Sequence, residues 1–366
     1  MALSITSTAD ALSTYVDQNR DALISGAVAG ARSAENLNLQ VGYKSAGSIN
    51  IMDTDVVLQA DAAGRTASGT TSLTQRILNV GAIKIEEDID VKGLNAIYMQ
   101  HQLKAGSADD VVPFEEAWTS LKVAKVANVL EQAIWIGDTT SGVANTERFD
   151  GLIKIIDATV AEFTYTAGAF VVGQSYEIVT AGTTDFTLIG AADSVVGTRF
   201  TATGVGVGTG TAYNTGEAVI DANYTTGAAS LVQATVIAAM DDVYQSIPLD
   251  VLESGEVKIF CGFDTFRFYQ SALKALNLFH HASDASDFKM PLAGTSVQIV
   301  ALQGLSSTSR MFAGKPSNFV LGTDLANEEE VFDVWYSKED KIVKLDMAFK
   351  YGTQIAFPNE IVSWSV

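Results

Sequence analysis

The sequence is poor in the residues that build disulfides and metal sites. It has one cysteine, Cys261, and three histidines in 366 residues. A single cysteine excludes a disulfide within the chain, and so few soft ligands exclude the usual zinc sites. The apolar runs stay below the roughly 18 residues of a membrane span, and the N-terminus lacks a basic region followed by an apolar one. We therefore expect neither a membrane span nor a signal peptide.

Basic residues are also scarce. Lys and Arg number 23 against 43 Asp and Glu, which gives a formal net charge of −20. Contacts to phosphates need clustered cations, so a general nucleic-acid-binding surface is not expected. Apolar residues make up 47% of the chain and charged residues only 18%. This composition supplies a large core, and the length predicts about two or three domains.

The N-terminal part of the chain has a pattern that is not stable alone. Residues 1–50 are polar and rich in alanine, with a weakly amphipathic helix predicted over Asp10–Ala31, which is typical of an arm. The next segment, residues 51–90, holds two strand-like runs, Asp53–Leu58 and Leu73–Ile89, joined by a polar turn region that predicts a long hairpin. Because its tip has little apolar surface, the hairpin should lie on something else, such as another subunit.

The clearest helix is predicted over the residues between Asp110 and Gly137. Asp109 and Asp110 precede Pro113 near its first turn, and Gly137 follows its end. At about 24 residues and 1.5 Å per residue it would be roughly 36 Å long, about twice the average. Its apolar residues recur at intervals of three and four: Phe114, Trp118, Leu121, Ala124, Leu130 and Ile134. We expect this helix to serve as a long spine.

A compositional break follows the spine. Residues 163–215 are rich in Gly, Thr, Val and Ala and alternate like strands, which predicts a small all-β insert of roughly four to six short strands. Its aromatic residues Tyr165, Phe170 and Tyr176 are expected to form its own core rather than a platform for sugar rings. Because the insert interrupts the surrounding domain, it should lie on an exposed loop.

The remaining residues return to a mixed α/β pattern. We predict a helix over Ala228–Ile247, a buried strand over Val257–Cys261 and a second helix capped by Asp264. The apolar faces of the two helices would be formed by Val232, Val236, Met240 and Val243, and by Phe266, Tyr269, Leu273 and Leu276. The end of the chain predicts a sheet, with strands at Val297–Leu302, Arg310–Ala313, Asn318–Leu321, Val331–Tyr336, Ile342–Phe349 and Gln354–Trp364.

No catalytic, cofactor-binding or metal residue is predicted, and we do not expect an enzyme. The run Gly204–Gly210 resembles a phosphate loop in composition, but no Lys-Ser/Thr pair or helix follows it, so a β-turn is favoured. Cys261 lies in an apolar strand, where a thiol is inert. His280 and His281 lie in a polar loop after a helix, and we expect them to be solvated rather than to bind a metal.

Negative charge is concentrated in one part of the chain. Between Lys154 and Lys258, twelve acidic residues face one basic residue, Arg199, so more than half of the excess charge lies in under a third of the sequence. One interpretation is a solvated, solubilising surface. The other is a domain that faces outward in an assembly. The sequence favours neither.

Two stretches carry a resemblance to a known family. Phe149-Asp-Gly-Leu-Ile, directly after the spine, resembles the entry to the axial domain of the major capsid proteins of tailed bacteriophages. Met311–Leu325, followed by Val331–Tyr336, resembles the C-terminal peripheral strands of the same family. The order of arm, hairpin, spine helix, α/β domain and closing sheet is also similar. The resemblance covers nearly the whole chain except about residues 160–216.

The resemblance implies an α+β fold of the Hong Kong 97 type with a small all-β insertion domain. Residues 1–50 would be the N-terminal arm and residues 51–90 the extended loop. The other parts would be the peripheral domain (91–148) with the spine helix (108–137), the axial domain (149–160 and 217–290), the exposed insertion domain (161–216) and the C-terminal peripheral strands (291–366).

The resemblance also implies a function. The chain would be a major capsid protein that assembles into pentamers and hexamers of an icosahedral shell around the double-stranded DNA of a tailed phage, made in the host cytoplasm and located in the virion. Its partners would be copies of itself, a separate scaffolding protein and a portal, with decoration proteins or glycans at the insert. Because the arm begins almost at residue 1, we expect either a separate scaffolding protein or an already trimmed chain, and the initial Met1 favours the separate scaffold. No cofactor, membrane or specific nucleic-acid sequence is expected as a partner.

Two other functions stay open at this point. An encapsulin-like cellular compartment would use the same fold without enclosing DNA. A glycan-binding or adhesive module would use the β insert. Some family members join subunits through a Lys–Asn bond, and Lys84 lies in the predicted hairpin, but nothing identifies its partner, so no crosslinking residue is assigned.

Overall fold

A computed structural model of the chain describes residues 30–54, 56–59, 68–69, 71–89, 114–222, 230–276, 288–324, 331–337, 339–340 and 342–365. The chain divides into two compact units. The first unit holds the described residues among 1–46, 79–150 and 321–353, and the second holds those among 47–78, 151–320 and 354–366.

The elements are named here in chain order. The helices are α1 (Arg32–Asn36), α2 (Phe114–Ile136), α3 (Leu152–Glu162), α4 (Val236–Ser246), α5 (Leu249–Glu253) and α6 (Phe263–Ala275). The strands are β1 (Asn38–Val41), β2 (Ala46–Thr54), β3 (Thr71–Asn79), β4 (Gly81–Ile89), β5 (Thr164–Thr166), β6 (Ser175–Thr180), β7 (Arg199–Thr201), β8 (Thr211–Asn214), β9 (Ile220–Asp221), β10 (Lys258–Gly262), β11 (Lys289–Pro291), β12 (Gln298–Leu302), β13 (Arg310–Gly314), β14 (Phe319–Thr323), β15 (Val331–Ser337), β16 (Ile342–Ile355) and β17 (Val362–Ser365).

The first unit is built on a five-stranded sheet in the order β1-β14-β16-β15, with β4 also paired to β16. Leu345, Met347 and Phe349 of β16 are buried, because alternate side chains of a strand point to the same face. β4 runs antiparallel to β16, with Ile85 opposite Met347 and Ile83 opposite Phe349. One face of the sheet is therefore apolar across neighbouring strands.

The second unit contains a six-stranded sheet in the order β11-β12-β10-β13-β17-β9. β10 pairs parallel with β12 and antiparallel with β13. Helices α4 and α6 cover this sheet with their apolar faces, as the sequence predicted. Their buried residues join Cys261 of β10 in one core, and they are Val236, Met240, Val243, Phe266, Tyr269 and Leu273.

The hairpin is formed by β2 (Ala46–Thr54) and β3 (Thr71–Asn79) rather than by residues 51–90, and its first strand lies earlier than the predicted run Asp53–Leu58. β2 and β3 pair as a two-stranded sheet, whereas β4 pairs with β16 in the first unit. The predicted run Leu73–Ile89 is therefore two strands, interrupted at Val80. A Cβ on Gly81 would overlap the carbonyl oxygen of Arg148, so the start of β4 requires glycine. The alternation of the sequence does not show this break because both strands have the same period.

The expected N-cap of the second helix is wrong. Helix α6 begins at Phe263, and its N-cap is Gly262, which contributes no side-chain hydrogen bond. Asp264 lies inside the first turn instead. Its carboxylate accepts hydrogen bonds from the backbone N–H groups of Thr265 and Ser307, each at 2.9 Å. The residue therefore ties the helix start to the loop before β13.

Four residues predicted on apolar helical faces are exposed. Leu130 and Ile134 of α2 are buried, but Leu121 and Ala124 on the same predicted stripe are exposed, Leu121 by 59%. Val232 and Leu276 fall outside α4 and α6 and are 44% and 58% exposed. Periodicity marks the face of a helix but does not show where the helix ends or whether this chain covers that face.

The boundary expected at residue 290 implies that the strands of residues 291–366 belong together. They are instead divided between two sheets. β12, β13 and β17 belong to the six-stranded sheet of the second unit, and β14, β15 and β16 belong to the five-stranded sheet of the first. The reason is that β10 needs a strand on each edge to satisfy its backbone groups. Both neighbours of β10 come from beyond residue 290.

Several predicted features lie outside the described residues. These are the arm up to residue 29, the hairpin tip at 60–67, the segment 91–113 that includes the predicted start of the spine, and the pair His280 and His281.

Candidate assembly surfaces

The hairpin of β2 and β3 has one face against its own chain and one face exposed. Ile51 and Leu78 are buried, at 8% and 0% exposure. On the other side, Met52, Leu73 and Ile77 are 65%, 76% and 58% exposed. Leu73 and Ile77 share a face of β3 because they are four residues apart in a strand. Exposed apolar side chains grouped on one face of a hairpin are typical of a surface that binds another molecule.

The segment that directly follows β2 is also apolar and exposed. Val56, Val57 and Leu58 are 75%, 50% and 94% exposed. Successive side chains of an extended segment point to opposite sides, so no single contact within one chain would cover all three. The exposure of the hairpin therefore reaches beyond its paired strands.

A groove lies between β4 and α2 within the first unit. Its volume is about 350 Å³. Its apolar lining comes from the strand and the helix together, and includes Ile83, Ile85, Val126, Val129, Leu130, Phe149 and Phe349. Lys122 at its edge forms an ion pair with Glu87 of β4. Val129 is 40% exposed, so part of the apolar lining is accessible.

Helix α2 also holds the start of the described chain. Ser33 of α1 donates its backbone N–H and its hydroxyl to the buried carboxylate of Glu131, at 2.7 and 2.8 Å. The indole Nε1 of Trp135 donates to the same hydroxyl at 2.7 Å. Ser33 and Trp135 are fully buried and Glu131 is 3% exposed. Buried hydrogen bonds to a charged group are stronger than neutral ones, so this cluster fixes α1 on α2.

The outward face of the first unit's sheet is acidic. Asp333, Asp346 and Glu86 lie directly opposite one another across three neighbouring strands. Like charges at directly paired positions are destabilising. In the next row on this face, Trp335 lies opposite Lys344 and is 41% exposed. Glu86 and Asp88, which pair with Asp346 and Lys344, contribute the β4 side of these two rows.

The segment predicted as an all-β insert contains a four-stranded sheet in the order β5-β8-β6-β7. Phe170 and Tyr176 are buried in its core with Phe186 and Phe200, and Tyr165 packs against them. Their rings lie 5.0 to 6.1 Å apart between centroids, in the range of favourable aromatic contacts. The prediction that these aromatic residues form a core is confirmed, so Phe170 and Tyr176 present no platform for sugar rings.

One hydrogen-bonded cluster connects this sheet to β9 of the six-stranded sheet. Arg199 donates through Nε to the buried carboxylate of Glu177 at 2.7 Å and through Nη2 to the backbone oxygen of Asp221 at 3.1 Å. The backbone N–H of Asp221 donates to the Tyr213 hydroxyl at 2.9 Å. Burial raises the pKa of Glu177, although the nearby Arg199 opposes the shift. The cluster therefore holds a carboxylate at the junction of the two sheets.

Cys261 and the run Gly204–Gly210, which the sequence offers as candidate reactive or phosphate-binding residues, lie in described parts of the structure without features of an active site. Cys261 is completely buried, and burial raises the pKa of its thiol, which makes it unreactive. The run Gly204–Gly210 leads into strand β8 rather than a helix. Among the described residues, no group of acidic, histidine and cysteine side chains is arranged to hold a metal ion. No helix in the described ranges has the length and apolar character needed to cross a bilayer.

Comparison with known proteins identifies the fold. No family model and no curated protein matches the sequence. A chain in the satellite phage P4 procapsid, a structure that includes the size determination protein, matches with a TM-score of 0.56 and 9% identity over 94% of this chain and 90% of that one. The mature capsid of bacteriophage PhiM1 gives 0.48 and 11%, covering 92% and 86%. The virus-like particle of Pyrococcus furiosus gives 0.46 and 9%, covering 96% and 99%.

The chain has a mixed α+β fold of the phage capsid type. The resemblance stated from the sequence to phage major capsid proteins is confirmed at this level. The residues that carry the candidate assembly surfaces were only partly anticipated. Leu73 fell within a predicted strand, but its outward position depends on the pairing of β2 with β3, which the sequence does not specify.

Proposed function

We propose that this protein is the major subunit of a capsid and that copies of it assemble into a closed shell. Two features support the proposal, which are the phage capsid fold and the exposed apolar face of the hairpin. The observation that carries it is the exposure of Met52, Leu73 and Ile77 on one side of strands whose other side contains the buried Ile51 and Leu78. An isolated two-stranded hairpin is at best marginally stable in water, so a neighbour would complete its burial.

The contact we propose places the hairpin of one subunit against the first unit of its neighbour. The groove between β4 and α2 offers apolar lining from Val129 and Phe149. Burying a Leu, Ile or Met side chain fully contributes about 1.5–3 kcal/mol. Burial of Leu73, Ile77 and Met52 would therefore contribute several kcal/mol per contact. A shell repeats each contact many times, so modest single contacts suffice.

The finer features of the proposed assembly follow the family resemblance. The shell would consist of pentamers and hexamers and enclose the double-stranded DNA of a tailed phage. The arm and hairpin would reach over neighbours, α2 would act as the spine, and the four-stranded sheet would be an insertion domain on the outer surface. The net charge of −20 supports a container role, since an acidic wall does not adsorb packed DNA tightly. A separate scaffolding protein, a portal and decoration proteins or glycans at the insert would be its partners, and no enzymatic activity is proposed.

The hairpin contact is tested with charged substitutions on its exposed face. Leu73→Asp combined with Ile77→Asp places two carboxylates in the proposed interface, so we expect assembly to fail while the subunit stays folded. The matched control is Thr74→Asp, which adds a charge to an exposed residue on the opposite face of β3. Particle formation is measured by negative-stain electron microscopy and size-exclusion chromatography. Normal assembly of the double variant would overturn the proposed contact.

A further inference from the structure

The surface of the insert is apolar to an unusual degree. Eight large hydrophobic residues between positions 171 and 207 are exposed, and Leu188 and Val207 are exposed by 80% and 86%. The other six are Val171, Val172, Val179, Val195, Val196 and Val205. The insert already has a core of its own, built around Phe186 and Phe200. These exposed residues are therefore additional to what its fold requires.

Three segments of the insert lie side by side over its core. The backbone N–H of Gly168 donates to the carbonyl oxygen of Val205 at 2.6 Å. A Cβ at Gly206 would lie 3.1 Å from the ring of Phe170 and 3.3 Å from the side chain of Ile189. The segment that carries Leu188 thus lies beside the segment that carries Val205 and Val207. We call Leu188, Val205 and Val207 the distal patch.

The distal patch lies away from the junction with β9. Gly208 is adjacent to Thr184, and Thr180 pairs with Thr211 at the far end of β6 and β8. The junction residues Glu177 and Tyr213 pair with each other nearer the other end of the same strands. The segment that carries Leu188 also lies beside the end of β7, where the backbone N–H of Thr203 donates to the carbonyl oxygen of Ile189 at 2.9 Å. The junction contacts described above involve neither this segment nor the one that carries Val205 and Val207.

The insert is nearly free of charge that could oppose self-association. Residues 163–215 contain three acidic residues and one basic residue. Glu177 and Arg199 form an ion pair at 2.7 Å. Asp185 accepts hydrogen bonds from Thr187, and Asp193 accepts them from Val195 and Thr198.

This neutrality contrasts with the net charge of −20 for the whole chain. Contact between two like-charged copies is opposed by electrostatic repulsion over most of an acidic surface. At an uncharged apolar patch that repulsion is least, and the cores of protein interfaces are depleted of charged residues. A patch present on every copy can also meet itself across a two-fold axis, because such an interface is self-complementary.

We propose that the distal patch is a contact between inserts of two copies of this chain. Leu188 and Val207 of one copy pack against the same residues of the other. The proposal goes beyond the proposed function, because a shell held together through its hairpins requires no contact between inserts. It does use one expectation of that function, namely that the insert stands on an exposed surface of the assembly.

The test uses a thiol placed in the patch of the full chain. The native chain should not react with the crosslinker because its single cysteine, Cys261, is buried. Val207→Cys is expected to give a covalent dimer with a short bismaleimide. The matched control Ser175→Cys places a thiol at an exposed position at the other end of the sheet. A specific contact raises the local concentration of the second thiol to about the millimolar range, so we expect at least about tenfold more dimer from Val207→Cys than from the control.

A second variant separates the patch from the assembly. Leu188→Asp combined with Val207→Cys keeps the thiol but brings like charges together, so the dimer yield should fall to that of Ser175→Cys. Leu188 is highly exposed, so this change should leave the fold intact. Shells without the Val207→Cys dimer, equal yields from Val207→Cys and Ser175→Cys, or a chain that stays monomeric would each overturn the proposal. Shells that form without the Val207→Cys dimer would contradict only the contact between inserts. A chain that stays monomeric would contradict both this contact and the proposed capsid function.

Discussion

Removal of one hydroxyl should detach the start of the described chain from α2. The Ser33 hydroxyl donates to Glu131 at 2.8 Å and accepts from Trp135 at 2.7 Å, and both bonds are buried. In Ser33→Ala both bonds are lost while the backbone bond from Ser33 to Glu131 remains possible. A buried neutral hydrogen bond contributes about 1 kcal/mol and one to a charged group about 1.5–3 kcal/mol. We expect the local opening of this segment to become easier by about 3 kcal/mol, or roughly 100-fold.

Hydrogen exchange measured by mass spectrometry on peptides covering residues 31–41 is the direct assay. Local opening controls exchange in such segments, so protection should fall by about two orders of magnitude in Ser33→Ala if the estimate holds. Ser45→Ala is the matched control, because Ser45 is exposed and the same atoms are removed. A loss of protection below about threefold, or an equal loss in Ser45→Ala, would refute the assignment of this cluster as the anchor of α1.

Three further outcomes are expected. Gly81→Ala should lower the stability of the first unit by about 1–3 kcal/mol or more in urea unfolding, because the backbone at Arg148 must shift; wild-type stability would show that the close approach is absent. Phe200→Ala should cost about 3–5 kcal/mol and open residues 164–214 to proteolysis before the rest of the second unit; cleavage elsewhere first would contradict an independent insert core. Burial raises the pKa of Glu177 above its ordinary 4.5, so the folded state binds this proton more tightly, and the stability contributed by Glu177 is greatest below pH 4.5 and declines as the pH rises through the raised pKa. Glu177→Gln should therefore reduce the difference in thermal midpoint between pH 4.5 and pH 7, and an unchanged difference would be inconsistent with this origin.

The sequence was sufficient to predict elements that depend on local pattern. Alternation predicted the strands now seen in β10, β12, β13 and β16, and helical spacing predicted the buried faces of α4 and α6. The all-β character of the insert and the burial of Phe170 and Tyr176 were also predictable. These features need only a period and a set of apolar residues. The capsid fold itself was recognised from the order of elements rather than from any single motif.

Features that depend on long-range pairing were not predictable. The break at Val80 separates two strands with the same alternation, and only their pairing with β2 and β16 shows that they belong to different sheets. The split of residues 291–366 follows from the need of β10 for partners on both edges. Asp264 looked like a cap because its type and place were suitable, but its oxygens are used by Thr265 and Ser307. Each difference involves residues distant in the sequence, which a local pattern cannot report.

In the candidate surfaces, too, the apolar residues are predictable from the sequence but their exposure is not. A sequence can mark Leu73 and Val207 as apolar, but their exposure depends on which face of the strand or turn the chain covers. The exposure of a side chain indicates a candidate contact surface only when the same element also has a buried face. Leu78 marks that buried face in the hairpin and Phe200 marks it in the insert. The small number of charged residues in the insert can be counted from the sequence. The structure adds that Glu177 and Arg199 form an ion pair with each other.

Assembly of this chain into a closed shell of its own copies is tested by negative-stain electron microscopy of the purified full chain, alone and with a co-expressed scaffolding protein. Its mass is measured beside this by size-exclusion chromatography with light scattering. We expect closed particles, or rings of five or six subunits. A monodisperse species at the monomer mass of 38.8 kDa under every assembly condition would contradict this expectation.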